Sequence, residues 1–94
     1  MKTIYKYAIS HTEKQEYEMP AGATLLAVQM QYGQPCVWAE VDDAAPRVRR
    51  TLAIVGTGQE VPSAGVYIGS FQIEVVVGIV NNVWHIYDLG EVQP

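Results

Sequence analysis

Three arginines, a glycine loop and one strand-borne histidine are the groups in this chain whose types and spacing could do chemistry. All the arginine lies within four positions, at Arg47, Arg49 and Arg50. On an extended strand Arg47 and Arg49 project from one face and Arg50 from the other. Guanidinium forks two residues apart suit a phosphate or carboxylate; a solvated edge strand guarded by charge is the alternative. The arginines lead into Gly56-Thr57-Gly58, the start of the longest stretch without periodicity, Gly56 to Gly65. Glycines let successive N–H groups approach an anion as a nest. No Lys-Ser/Thr follows and the third glycine of a dinucleotide fingerprint is missing, so neither phosphate motif is complete. A positive-φ turn between two strands explains the same residues.

The histidines are His11, in a polar turn, and His85, between Trp84 and Ile86. Together with a lone cysteine they fall short of the three or four ligands at motif spacing that zinc requires. No metal or cofactor is expected. His85 is expected to face a tyrosine or carbonyl within its sheet. No nucleophile elbow surrounds any serine or cysteine, Asp42-Asp43 belong to a turn, and Glu13, Glu16 and Glu18 belong to a solvated hairpin, so an enzyme is not expected. Aromatic residues supply the remaining candidates: Trp38 and Tyr67 offer flat surface with a polar tip for a base or a partner.

The elements that must position these groups read almost wholly at period two. Lys2 to Ile9 alternates, Ser10 to Lys14 is polar, and Gln15 to Met19 alternates again, which predicts a hairpin. Ala23 to Gln31 and Cys36 to Val41 follow, separated by Tyr32-Gly33-Gln34-Pro35, where Gly33 can take positive φ. Arg47 to Val55 is a fifth run, with Val48, Leu52 and Ile54 on the face of Arg50. Val66 to Val77, bent near Gly69, and Val83 to Leu89 complete the set, with Asn81-Asn82 predicted as the tight turn between them. No segment makes an amphipathic helix of ten residues. Six or seven short strands predict a single all-β domain over residues 1–94, an antiparallel sandwich or small barrel.

Composition bounds what such a domain can do. The 94 residues carry 6 Lys+Arg against 10 Asp+Glu, a formal charge of −4, with 49% hydrophobic and 17% charged residues. That apolar fraction excludes a disordered acidic tail, and the negative balance argues against duplex nucleic acid, where affinity comes from neutralising phosphates. Cys36 is the single cysteine, so no internal disulfide forms. The first nine residues lack the continuous apolar stretch of a signal peptide. The longest apolar run, Val75 to Val80 with Gly78 inside it, is far short of the ~20 residues of a membrane-spanning helix. A domain this small buries only about 60–65% of its unfolded surface, so a homo-oligomer is expected.

The order of several blocks carries a resemblance. Lys2-Thr3-Ile4-Tyr5-Lys6-Tyr7, Met19-Pro20-Ala21-Gly22-Ala23, Leu26-Ala27-Val28-Gln29-Met30-Gln31 and Gly33-Gln34-Pro35-Cys36-Val37-Trp38-Ala39 stand in that sequence. Val41-Asp42, Gly56-Thr57-Gly58-Gln59-Glu60-Val61-Pro62, Tyr67-Ile68-Gly69-Ser70-Phe71-Gln72 and Trp84-His85-Ile86-Tyr87 follow. Together they resemble a family of small tailed-phage proteins known only as a domain of unknown function. The resemblance covers nearly the whole chain and departs at the apolar Ile73 to Asn82 stretch. It implies a phage protein of the host cytoplasm, without assigned activity, and carries forward the Gly-Thr-Gly loop and the aromatic-His strand as functional candidates. Genomic habit then suggests counter-defence: sequestration of an anionic nucleotide signal by Arg47, Arg49, Gly56, Thr57 and Gly58, with Trp38 or Tyr67 against the base and His85 beside them. The alternative is an accessory protein, a virion component or an inhibitor of a host protein, that pairs through a strand edge or aromatic face.

Overall fold

The structure, a computed structural model, describes residues 1–10, 13–76 and 80–92, with the backbone alone at 74–76 and 80–81. It contains seven strands: β1 (Lys2–Ala8), β2 (Lys14–Pro20), β3 (Thr24–Gln31), β4 (Gln34–Asp42), β5 (Arg47–Gly56), β6 (Val66–Val76) and β7 (Val80–Glu91). They form two antiparallel sheets, β1-β4-β3 and β2-β5-β7-β6, stacked as a sandwich. There is no closed barrel, because the ladder of each sheet ends in two edge strands.

Alternation decides which residues the two sheets share. On β4, Val37, Ala39 and Val41 turn inward and are almost fully buried. Opposite them, Leu52 and Ile54 of β5, Phe71 of β6 and Ile86 of β7 form the main core with Ile9. A second cluster, Met19, Ala23, Ala39 and Val41, fills the other end under Tyr5, Tyr7 and Tyr17. Cys36 is buried and free, the small hydrophobe that its neighbours predict.

The hairpin expected from β1 and β2 does not form. β1 pairs with β4 from Lys2↔Asp42 to Ala8↔Cys36, and β2 pairs with β5 from Lys14↔Ala53 to Pro20↔Arg47. The reason is the apolar face that each strand carries. Side by side, both faces would still need covering; in opposite sheets they cover each other, Tyr7 and Tyr17 meeting edge-on at 6.3 Å. Buried Gln15 stabilises the crossing: its amide nitrogen donates to Ser10 O, and its Oε1 accepts from Ser10 N and from the Tyr17 hydroxyl. By contrast the β3–β4 connection is the expected tight turn. Tyr32 (φ 51°) and Gly33 (φ 78°) sit between the paired residues Gln31 and Gln34, the two positive φ values of a type I′ hairpin.

The register also shifts between Tyr67 and Gly69, the expected irregularity of β6, where Gly69 lets β6 approach Val28 of β3. Asn81 and Asn82 are not the turn of the last hairpin. They pair with Glu74 and Ile73 inside the β6–β7 ladder, because the apolar run continues the strand up to Val76 and resumes it at Val80. Residues 77–79 between the two strands lie outside the described residues.

Among the described residues, Tyr7 Oη is the buried side-chain polar atom without a partner. A buried hydroxyl left unpaired costs about 1–3 kcal/mol, so Tyr7→Phe is expected to stabilise the fold by roughly 1 kcal/mol and raise Tm by about 4–8 °C. Burial also pushes the phenols of Tyr7 and Tyr17 above the ordinary tyrosine range. In the unfolded chain they ionise first, near pH ~10, so their contribution is complete below that pH and is lost as pH rises through the raised folded values. Alkaline denaturation curves check both effects: Tyr7→Phe starts higher and falls less steeply.

Candidate functional site

β5 and β7 run side by side with Val55 opposite His85 and Ala53 opposite Tyr87. Since Ile54 and Ile86 point into the core, these four point to the outer face of the four-stranded sheet. β6 adds Tyr67, directly across from Tyr87 and edge-on to it at 5.4 Å between centroids. The connection between β5 and β6 folds back over this face. It borders an open cavity of about 340 Å³ lined by Thr57, Gly58, Gln59 and Val61 on one side and by Tyr67, His85 and Tyr87 on the other. A wider groove of about 940 Å³ lies along the far side of the connection, between Glu13, Lys14 and Trp84.

The connection is shaped by its glycines and by internal hydrogen bonds. A Cβ on Gly56 would come within 3.2 Å of the Trp84 ring, and Gly58 adopts φ 92° in open space. Gly56 N donates to Gln59 Oε1 at 2.7 Å and Gln59 N returns a bond to Gly56 O at 3.0 Å. Thr57 N donates to Val83 O at 3.2 Å. Two of the three amides of the expected anion nest are therefore engaged, that of Gly56 inside the loop and that of Thr57 with β7. Gly58 meets the positive-φ requirement of the turn reading instead. At the loop's other end Gly65 takes φ 125°, with Leu89 Cδ2 at 2.7 Å and Asp88 O at 3.1 Å from the place of a Cβ. Gly65→Ala combines that strain with a clash against backbone, and is expected to cost about 2 kcal/mol, measured by urea denaturation.

His85 joins the two walls. Its Nε2 lies 2.9 Å from Thr57 Oγ1 and its Nδ1 2.8 Å from Tyr67 Oη. Thr57 Oγ1 also reaches Val83 O at 3.3 Å. A neutral imidazole donates from one nitrogen and accepts at the other. One hydroxyl of the pair therefore accepts a hydrogen bond from the ring while the other donates one, and each keeps a lone pair for a further partner. Half of Tyr67 remains exposed. The chain Thr57-His85-Tyr67 is the most organised polar group on this face.

The other expected site residues lie elsewhere. Arg47 stands at the opposite end of β5, nine residue steps or about 30 Å from Gly56 on an extended strand. Arg49 is about 23 Å away on the same measure. A strand that leads into a loop also holds its two ends apart, so Arg47 and Arg49 do not join the Gly56–Gly58 loop in one patch. Arg47 stacks on the Tyr5 ring at 5.6 Å and Arg49 pairs with Glu16 at 3.2 Å. Trp38 belongs to the three-stranded sheet, whose inward residues are Val37 and Ala39; it faces the opposite side of the sandwich, under Lys6 Nζ at 6.0 Å. Gly56, Thr57, Gly58, Tyr67 and His85 are the expected residues that the fold does bring together.

Val55, Gln59 and Val61 complete the cavity without being expected site residues, and Tyr87 enters it from the aromatic-His run. Tyr87 was within reach, since it shares a strand face with His85; the position of Val61 depends on how the loop folds back. Among the described residues no group of three His, Cys, Asp or Glu side chains could hold a metal ion. Among the described residues, too, no helix is long and apolar enough to cross a membrane. No curated protein and no solved structure gives a significant match to the chain. The family model described as Domain of unknown function (DUF7352) matches residues 1–94, and the chain belongs to that family.

Proposed function

We propose that the protein is a non-catalytic binding module whose ligand seats on the outer face of the four-stranded sheet, against Thr57, His85 and Tyr67. The observation that carries this reading is the hydrogen-bonded chain across His85, 2.9 and 2.8 Å on its two sides, at the wall of a 340 Å³ cavity. Two amphoteric hydroxyls and an exposed aromatic edge in a concave site suit a small polar ligand. The likeness to small tailed-phage proteins supports a place among phage accessory or counter-defence proteins of the host cytoplasm, with a nucleotide signal as the ligand that version expects. Amide spectra of labelled protein titrated with a low-molecular-weight extract of bacterial cytoplasm test the site. Shifts should concentrate at Gly56, Thr57, Gly58 and His85; shifts confined to the three-stranded sheet would remove the proposal.

A second reading is favoured by Ile4 and Leu26, which stand 59% and 47% exposed on the three-stranded sheet. Association of two copies through those residues would cover them. Sedimentation should then show a dimer that Ile4→Lys dissociates, and a monomer at high concentration would exclude it.

A further inference from the structure

The electrostatics of the cavity narrow its ligand. Among the described residues no lysine or arginine lines it: the wall is Val55, Val61, Gln59, two tyrosines, Thr57, His85 and glycine backbone. Among the loop amides, those of Gly56, Thr57 and Gln59 are engaged with Gln59 Oε1, Val83 O and Gly56 O. Phosphate is an acceptor that needs several donors at once, and this wall has few to spare. What it does offer is a donor–acceptor pair that can reverse. If His85 Nε2–H donates to Thr57, Tyr67 donates to Nδ1; with the other tautomer the direction runs backward. In the first arrangement the Thr57 hydrogen goes to Val83 O and both hydroxyls present lone pairs; in the second the Tyr67 hydrogen is free to give, and the two hydroxyls stand on opposite sides of the imidazole.

Resting on the binding-module reading, we infer that the cavity takes a neutral polyhydroxylated ring, a sugar held through its hydroxyls. Ring hydroxyls are themselves both donors and acceptors, so they match a reversible pair in either direction. The exposed ring of Tyr67, braced edge-on by Tyr87, supplies the flat surface against which the C–H face of a sugar packs. Gln59 adds an amide nitrogen, since its Oε1 is occupied by Gly56 N while its Nε2 is not the atom used there. Two sources share this chemistry, the ribose of a nucleoside and the pyranose of a glycan.

Four probes separate the possibilities in amide-detected titrations: adenosine, adenosine monophosphate, methyl glucopyranoside and inorganic phosphate. The expected result is that adenosine or the pyranoside shifts the amides around Thr57 and His85. The monophosphate should bind no more tightly than adenosine, phosphate alone should do nothing, and the affinity should be unchanged by salt, since no charge pair is screened. Adenosine alone would identify the ribose source, the pyranoside alone the glycan source. Tyr67→Phe and Thr57→Val should each weaken binding about tenfold, one hydrogen bond's worth, with Tm unchanged as the control for folding. Binding that requires the phosphate overturns the neutral-ring assignment and leaves the binding module standing. So does silence from all four probes when the cytoplasmic extract still shifts the same amides. Silence from the extract as well removes both.

Discussion

Asp88→Asn is expected to lower the unfolding free energy by about 3 kcal/mol, because it strands a guanidinium that the fold has taken out of water. Arg50 Nε and Nη2 donate to Asp88 Oδ1 and Oδ2 at 3.0 and 2.6 Å, a two-pronged pair whose side chains are 13% and 12% exposed. The remaining nitrogen, Nη1, donates to Ala23 O at 2.6 Å and lies 3.9 Å from Glu91, whose Oε2 accepts from Gly22 N at 2.7 Å. One cation thus ties the start of β3 to β5 and to the end of β7, joining the two sheets at one end of the sandwich. The hydrogen bond to Asp88 holds the Arg50 guanidinium above even its usual range, so it stays charged at every accessible pH. In Asp88→Asn the amide keeps one acceptor but sets an N–H against Nη2. A drop in Tm of about 15 °C is the expected size for a domain of this length. Arg50→Met with Asp88→Leu should recover most of the loss, since replacing both partners removes the stranded charge. Urea denaturation of Arg50→Met, Asp88→Leu and the double variant closes the cycle; a double-variant loss equal to the sum of the two single losses would show that the pair is not coupled.

The same arginine shows where sequence reading ran out. Alternation alone put Arg50 on the face of Val48, Leu52 and Ile54 and separated it from Arg47 and Arg49. Its partner Asp88 lies 38 positions away, and nothing local in either residue announces the other. The strands were legible because a half-buried sheet writes its burial into every second residue: all seven elements coincide with alternating or β-branched runs. Pairing was legible only where a turn dictates it, as at Tyr32-Gly33. Elsewhere a strand's apolar face is satisfied equally well by a neighbour beside it or a sheet opposite it, which is why β1 and β2 read as a hairpin and are not one.

The site divides along the same line. Gly56, Thr57, Gly58, Tyr67 and His85 were recoverable as residue types on a loop and two strands. Their convergence depends on β7 lying between β5 and β6, a non-local fact. The arginine–glycine patch failed on elementary geometry: adjacency in sequence along a strand means distance in space.

The second large effect is expected at Ile86, next to the histidine of the site. Ile86 is fully buried, opposite Ile54 on β5 and Gly69 on β6, and joins Leu52, Phe71, Val37 and Ile9 in the main core. Ile86→Ala removes three methyl or methylene carbons from the centre of a two-layer sandwich whose backbone ladders on both sides resist collapse into the gap. The expected cost is about 3–4 kcal/mol, the transfer free energy of the lost atoms plus that of the residual cavity. Ile86→Val, losing one carbon, should cost about 1 kcal/mol. This position also separates the stability of β7 from its binding face. Its side chain points inward while those of His85 and Tyr87 point outward, so Ile86→Val should leave the Thr57–His85–Tyr67 chain intact. Amide spectra of Ile86→Val should therefore keep the wild-type response of Thr57 and His85 to ligand while the urea midpoint falls. If that small inward change also abolished the response, the histidine's geometry would depend on core packing as much as on its two hydroxyl partners.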